Sequence, residues 1–144
     1  GRRGAFAGEG ARLFGGRWNR PGTRMVYTAE SLSLATLEIL VNLDSIATLD
    51  QYLSIPVEFA DDLCKALDFG ELPKNWASDP PPPDIQEIGS AWAAALESAV
   101  LVVPSAVVHR EHNFLLNPEH PDFAQILIGI PAEFELDPRL VRGL

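Results

Sequence analysis

The chain is poor in cysteine: its 144 residues include one, Cys64, so no disulfide can form within it and nothing calls for an oxidising compartment. It also lacks any apolar run near the roughly 18–20 residues of a membrane-spanning helix, and no charged-then-apolar leader is present. A soluble, cytoplasmic protein is the expectation. Positive charge is scarce too. Eleven Lys and Arg stand against 20 Asp and Glu, and the net charge of −9 argues against sequence-independent binding to nucleic acid, because like charge repels a phosphate backbone. The three histidines, His109, His112 and His120, come without cysteines around them and without the two-histidine helical spacing of zinc hydrolases. No metal site is expected, and these histidines are read as shaping the loop from Asn113 to Pro118. Cys64 has no histidine near it in sequence and is not a candidate nucleophile.

What is present points to one globular domain spanning 1–144, since a 47% apolar chain of this length can bury one core and is short for two. No internal repeat is visible. The charge is unevenly placed: residues 1–24 hold six arginines against Glu9 alone, a local +5 that leaves −14 for the rest. Arginine's planar fork matches phosphate oxygens, so this end suits a small anionic ligand. Arg2, Arg3, Arg12 and Arg24 are read as solvated or paired with acids. Arg17 is set apart by its neighbours, Gly15-Gly16-Arg17-Trp18-Asn19-Arg20-Pro21-Gly22, a glycine-bounded turn that presents a cation beside an aromatic.

Met25 to Ala29 reads as a buried strand, and Ser31 or Ser33 caps a helix to about Asn42 with Leu34, Leu37, Leu40 and Val41 at helical spacing. Glu38 falls at the margin of that stripe, where a carboxylate faces a cleft. Gln51 to Phe59 reads as a second strand, and Asp61 or Asp62 opens a helical turn through Leu67. Phe69 to Asp84, ending in four prolines, reads as a surface connection within the domain. Asp84 then caps a helix from Ile85 to about Ser98 whose apolar face is Ile88, Trp92, Ala95 and Leu96. Val100 to Val108 reads as the strongest strand, bent or bulged at Pro104-Ser105. A polar loop from His109 to Asp122 precedes a last strand near Ile126 to Ile130 that resumes through Phe134. This order predicts an α+β fold with a mixed, bent β-sheet and flanking helices.

Six blocks carry a family resemblance: Gly8-Glu9-Gly10-Ala11, Gly15-Gly16-Arg17-Trp18-Asn19, Val26-Tyr27-Thr28-Ala29, Leu34-Ala35-Thr36-Leu37-Glu38, Val103-Pro104-Ser105-Ala106-Val107 and Asn113-Phe114-Leu115-Leu116-Asn117-Pro118. Together, and in this order from about Gly8 to about Ile130, the chain resembles the RES domain. That family is named for an arginine, a glutamate and a serine, and its members are typically toxins of bacterial toxin–antitoxin pairs. The resemblance implies a fold similar to ADP-ribosyltransferases and an activity that consumes NAD by hydrolysis, by phosphorolysis or by ADP-ribosyl transfer to a protein. It implies a site of Arg17, Tyr27, Glu38 and Ser105, with Asn117 as a further ligand contact. It also implies a cognate antitoxin with a helix-turn-helix DNA-binding part that covers the cleft, DNA contact belonging to the antitoxin. Family members usually begin with a further short strand containing another arginine, which this chain either lacks or replaces with Arg2 or Arg3.

The chemistry agrees with those residue types. Nicotinamide in NAD is a cationic leaving group, and breaking its bond to ribose generates an oxocarbenium-like centre that needs an anion beside it. Glu38 would supply the anion, and Arg17 would hold the pyrophosphate across a shared pocket. Tyr27 would pack on nicotinamide and hydrogen-bond through its hydroxyl. Ser105 would orient the nicotinamide amide or a ribose, and Trp18 would wall the pocket against water. The competing readings are plainer: Glu38 paired with a surface base, Tyr27 as core, Ser105 satisfying a turn, and the whole a dinucleotide-binding module without chemistry.

Overall fold

Four strands make the main sheet: β1 (Val26–Ala29), β4 (Cys64–Ala66), β5 (Val100–Pro104) and β6 (His112–Leu116), in the order β1-β6-β5-β4. The computed structural model describes residues 2–42 and 52–141, without the side chains of Arg2, Arg3 and Val141. Antiparallel pairing sets Tyr27 opposite Leu115 and Leu101 opposite Leu115, while β4 runs parallel to β5 with Cys64 opposite Val100. Two small antiparallel pairs lie outside it: β2 (Leu53–Ser54) with β8 (Ala132–Glu133), and β3 (Val57–Glu58) with β7 (Leu127–Ile128). This is the mixed α+β architecture that the sequence predicts.

The period of two along each strand divides the core between the sheet's faces. Leu101, Val103 and Leu115 join Trp18, Met25, Ile85, Trp92 and Ala93 in one cluster. Val26, Val100 and Leu116 join Phe6, Leu63, Ala99 and Ile126 in the other. β5 is apolar nearly throughout because both its faces are covered.

Four helices flank this sheet among the described residues: α1 (Arg2–Ala5), α2 (Glu9–Phe14), α3 (Leu32–Val41) and α4 (Pro83–Ala94). Ser31 caps α3 as expected, its side chain accepting from the Leu34 N–H at 3.1 Å. α3 follows β1 directly and packs against it.

Five readings are corrected. His112–Leu116 is a strand, not part of a loop; its polar first two residues hide an alternating Phe114-Leu115-Leu116 that pairs on both sides. Cys64–Ala66 is a strand after a single 3₁₀ turn at Asp61–Leu63, because parallel pairing to β5 outweighs local helix signals. β5 ends at Pro104, which has no N–H for a further ladder bond. α4 opens at Pro83 rather than at Ile85, proline being tolerated in a first turn, and buries Ile85, Gly89, Ser90, Trp92 and Ala93, leaving Ala95 and Leu96 exposed. Arg2 and Arg3 lie in a short helix, so of the two alternatives left open for the family's further strand neither arginine stands in a strand here. The expected second strand is interrupted between Ser54 and Val57, and Gln51 lies outside the described residues. The 69–84 connection packs Leu72 and Trp76 onto the core as a surface segment.

Candidate functional site

Arg17 and Trp18 occupy the two central positions of a tight turn closed by Gly16 and Asn19, with the Gly16 N–H donating to the Asn19 carbonyl at 3.0 Å. Gly15 enters this turn at φ 73°, a conformation that glycine adopts without cost. Asn19, fully buried, fixes the turn from inside: its amide donates to the carbonyls of Ala11, Arg20 and Thr23, and its Oδ1 accepts from the Tyr27 hydroxyl at 2.5 Å. The same hydroxyl accepts from the Trp18 N–H at 3.1 Å. Tyr27 keeps 39% of its surface exposed, yet its hydroxyl end is enclosed by Gly16, Trp18 and Asn19. Burial pushes its pKa up to about 12, against weaker downward pulls from the Trp18 N–H and Arg17, so it remains a neutral donor. Its hydroxyl is therefore committed within the protein, and its ring alone remains for a ligand.

α4 grips this turn with one face. Gln86 donates to the Gly16 carbonyl at 3.0 Å, Ser90 Oγ accepts from the Arg20 N–H at 3.0 Å, and Gly89 lies directly against the Trp18 backbone. The turn thus sends Trp18 into the core, 2% exposed, and leaves Arg17 half-buried at the surface. Arg17 Nη1 donates to the carbonyls of Trp76 at 3.2 Å and Ser78 at 2.7 Å. Its neighbours are neutralised differently. Arg12 and Arg24 both pair with Glu9, and Arg20 pairs with Glu87, as the plain reading of Arg12 and Arg24 anticipates. Among the described residues no carboxylate pairs with Arg17, and its Nε and Nη2 make no hydrogen bond.

The second cluster forms where β1 and β5 end and β6 begins. Glu38, from α3, accepts from Ser105 Oγ at 3.0 Å on Oε2 and from Asn113 Nδ2 at 3.0 Å on Oε1. Ser105 is fully buried, and its Oγ also accepts from the N–H groups of Val107 at 3.1 Å and Val108 at 3.2 Å. With both acceptor positions filled, its single proton is aimed at Glu38. Among the described residues no basic side chain pairs with Glu38. The two clusters do not touch directly. Arg17 holds the Trp76 carbonyl, the Trp76 ring meets His109 with centroids 5.0 Å apart, and His109 sits on the turn that Ser105 begins, its Nε2 3.2 Å from the Ala106 carbonyl.

Asn117 is not brought to this group. It closes the opposite end of β6, where its amide donates to the Ala93 carbonyl and its Oδ1 accepts from the Glu119 N–H. Asn113 is the residue that sequence reading missed; it stands within a quoted block, but that block was assigned to a loop. An open hollow of about 390 Å³, lined by Phe6, Arg24, Pro118 and Phe123 among others, contains none of the candidate residues.

A mixed α+β sheet with a helix-clamped arginine turn and a carboxylate oriented where three strand ends meet sets the class of domain to which the chain belongs. The chain belongs to the RES domain family, whose model matches residues 2–137. It is 40% identical over 136 residues to a Toxin Res of Yersinia enterocolitica, covering 94% of this chain and 90% of that one. It is 38% identical over 141 residues to a Prs ADP-ribosylating toxin of a Sphingobium species, covering 95% and 87%. Among solved structures, a chain of the M. tuberculosis MbcT–MbcA toxin–antitoxin complex superposes with a TM-score of 0.68 at 17% identity, covering 89% of this chain and 76% of that one. That likeness extends the fold across low sequence identity.

Proposed function

We propose that this chain is the toxin of a toxin–antitoxin pair and cleaves the nicotinamide–ribosyl bond of NAD, by hydrolysis or phosphorolysis, using Arg17, Tyr27, Glu38 and Ser105. The observation that carries the reading is Glu38: a carboxylate oriented by two side-chain donors and, among the described residues, unpaired with any base. As the bond breaks, its electron pair leaves with the nicotinamide ring nitrogen and positive charge grows on the ribose, which Glu38 stabilises. Water, losing a proton, or phosphate then forms the new carbon–oxygen bond.

Arg17 would bind the pyrophosphate. Its Nη1 is anchored on two main-chain carbonyls, so the Nε and Nη2 edge is held ready for a bidentate contact. The Tyr27 ring would pack on the nicotinamide, and Ser105 would act by holding Glu38 rather than by touching the ligand. The ADP-ribosyltransferase-like fold and the RES family's relatives support the same chemistry. Transfer of ADP-ribose to a protein is the second reading, favoured by the Sphingobium relative's name.

The partner in this reading is an antitoxin whose helix-turn-helix part binds DNA and which covers the site, in the cytoplasm; the matched toxin–antitoxin complex supports the presence of an antitoxin. Purified protein incubated with NAD, with and without phosphate, should release nicotinamide, and Glu38→Gln should slow release by roughly 10²–10³-fold. Binding of NAD without product would mean a non-catalytic module. Label from NAD appearing in lysate proteins would favour transfer.

A further inference from the structure

We propose that Asn113 is a positioning residue for Glu38, setting the carboxylate's plane and depth without touching the ligand; this deepens the reading above and rests on it. Asn113 is the second residue of β6 and pairs with Ala29, the last of β1. Its two amide hydrogens are both spent: one on the Thr28 carbonyl at 3.1 Å, the other on Glu38 Oε1 at 3.0 Å. The side chain therefore ties α3 to the strand that also carries Tyr27. Ser105 approaches the other carboxylate oxygen from the end of β5. Two donors from two strands, one on each oxygen, fix the plane of a carboxylate that a single donor would leave free to rotate about its last torsion. Asparagine suits the post because one amide reaches a carbonyl and a carboxylate together, whereas aspartate would offer only acceptors to both.

Nicotinamide release from NAD is to be measured for the wild type, Asn113→Ala, the isosteric Asn113→Asp, Glu38→Gln and the Glu38→Gln/Asn113→Ala pair, each with its unfolding midpoint. Misplacing a reacting group by about 1 Å costs on the order of 10²-fold, so kcat of Asn113→Ala should fall roughly 10- to 100-fold with KM within about threefold. Asn113→Asp should fall at least as far. The double variant should be no slower than Glu38→Gln, because Asn113 acts through that residue. A kcat within about twofold of wild type in both Asn113 single variants, or losses that multiply in the double variant, would overturn the proposal; so would a KM rise with kcat unchanged, which would put Asn113 on the ligand.

An inactive wild type would instead count against NAD cleavage. The positioning role is then read by NMR: in Glu38→Ala the Asn113 amide proton facing position 38 should move upfield and exchange faster while its partner on Thr28 holds. Unchanged amide signals would refute it.

Discussion

Replacing Gly89 with alanine tests whether α4 holds the Arg17 turn in place. A β-carbon there would stand 1.8 Å from the Trp18 carbonyl oxygen and 2.9 Å from its carbonyl carbon. Both are main-chain atoms, so no rotamer change relieves the clash, and helix and turn must separate. Overpacking of this kind costs about 1–3 kcal/mol. Separation also weakens the bonds from Gln86 to the Gly16 carbonyl and from the Arg20 N–H to Ser90, each worth about 1 kcal/mol. Alanine's advantage over glycine inside a helix returns about 0.5–1 kcal/mol. The net expectation is a loss of roughly 2–3 kcal/mol, or about 6–15 °C in Tm for a chain of this size. Gly10→Ala is the matched control, since Gly10 also lies in a helix but a β-carbon there meets nothing within 4 Å. It should be neutral or stabilise by up to about 1 kcal/mol. Thermal unfolding of the three proteins side by side decides the matter. A Gly89→Ala variant as stable as wild type, or one that follows the sign of Gly10→Ala, would refute the argument that this contact fixes the turn.

Tyr27→Phe should destabilise by about 1–3 kcal/mol at neutral pH, because the Trp18 N–H loses its acceptor. The Tyr27 pKa is raised from 10.0 to about 12, so its stabilising contribution is complete below pH 10 and is lost as pH climbs through 12; the wild type should lose stability across that window faster than Tyr27→Phe, and parallel urea-denaturation curves would refute this. Ser105→Ala removes the acceptor of two part-buried N–H groups and the donor to Glu38, at a cost of about 1 kcal/mol or more, and should slow nicotinamide release as well; a variant of unchanged stability would contradict the three-bond geometry. Arg17→Lys keeps the charge but loses the fork, so KM for NAD should rise roughly tenfold with folding intact, and an unchanged KM would remove Arg17 from the pyrophosphate.

Charge and spacing made Arg17 legible, because its glycine-bounded turn is local and its neighbours supply their own carboxylates. Glu38 was legible for a similar reason: one carboxylate at the margin of an otherwise apolar helix. Asn113 was not, since its meaning depends on β6 lying between β1 and β5, a non-local fact that the polar His112-Asn113 start conceals. The α4 face was misjudged because Gly89 and Ser90 are buried against backbone, and hydrophobic periodicity registers apolar side chains, not close approach. Asn117 looked ligand-like in its Asn-Pro setting, yet the buried carbonyl of Ala93 needed its amide.

The two halves of the candidate site are held by different parts of the molecule, and this constrains how they work together. Arg17 belongs to a turn clamped by α4, whereas Glu38 belongs to a carboxylate cradle at the joint end of β1, β5 and β6. Trp76 links them, its carbonyl on Arg17 and its ring against both Trp18, at 6.3 Å, and His109, at 5.0 Å. Because the carbonyls of Trp76 and Ser78 belong to the main chain, sequence change at those positions leaves Arg17 its anchor so long as the segment keeps its path. The path itself depends on the Trp76 ring, packed on the core beside Trp18. The distance from Arg17 to Glu38 is thus set by aromatic packing, which is stiff, rather than by a salt bridge between them; in the proposed function such a bridge would neutralise the two charges that bind pyrophosphate and stabilise the ribosyl cation.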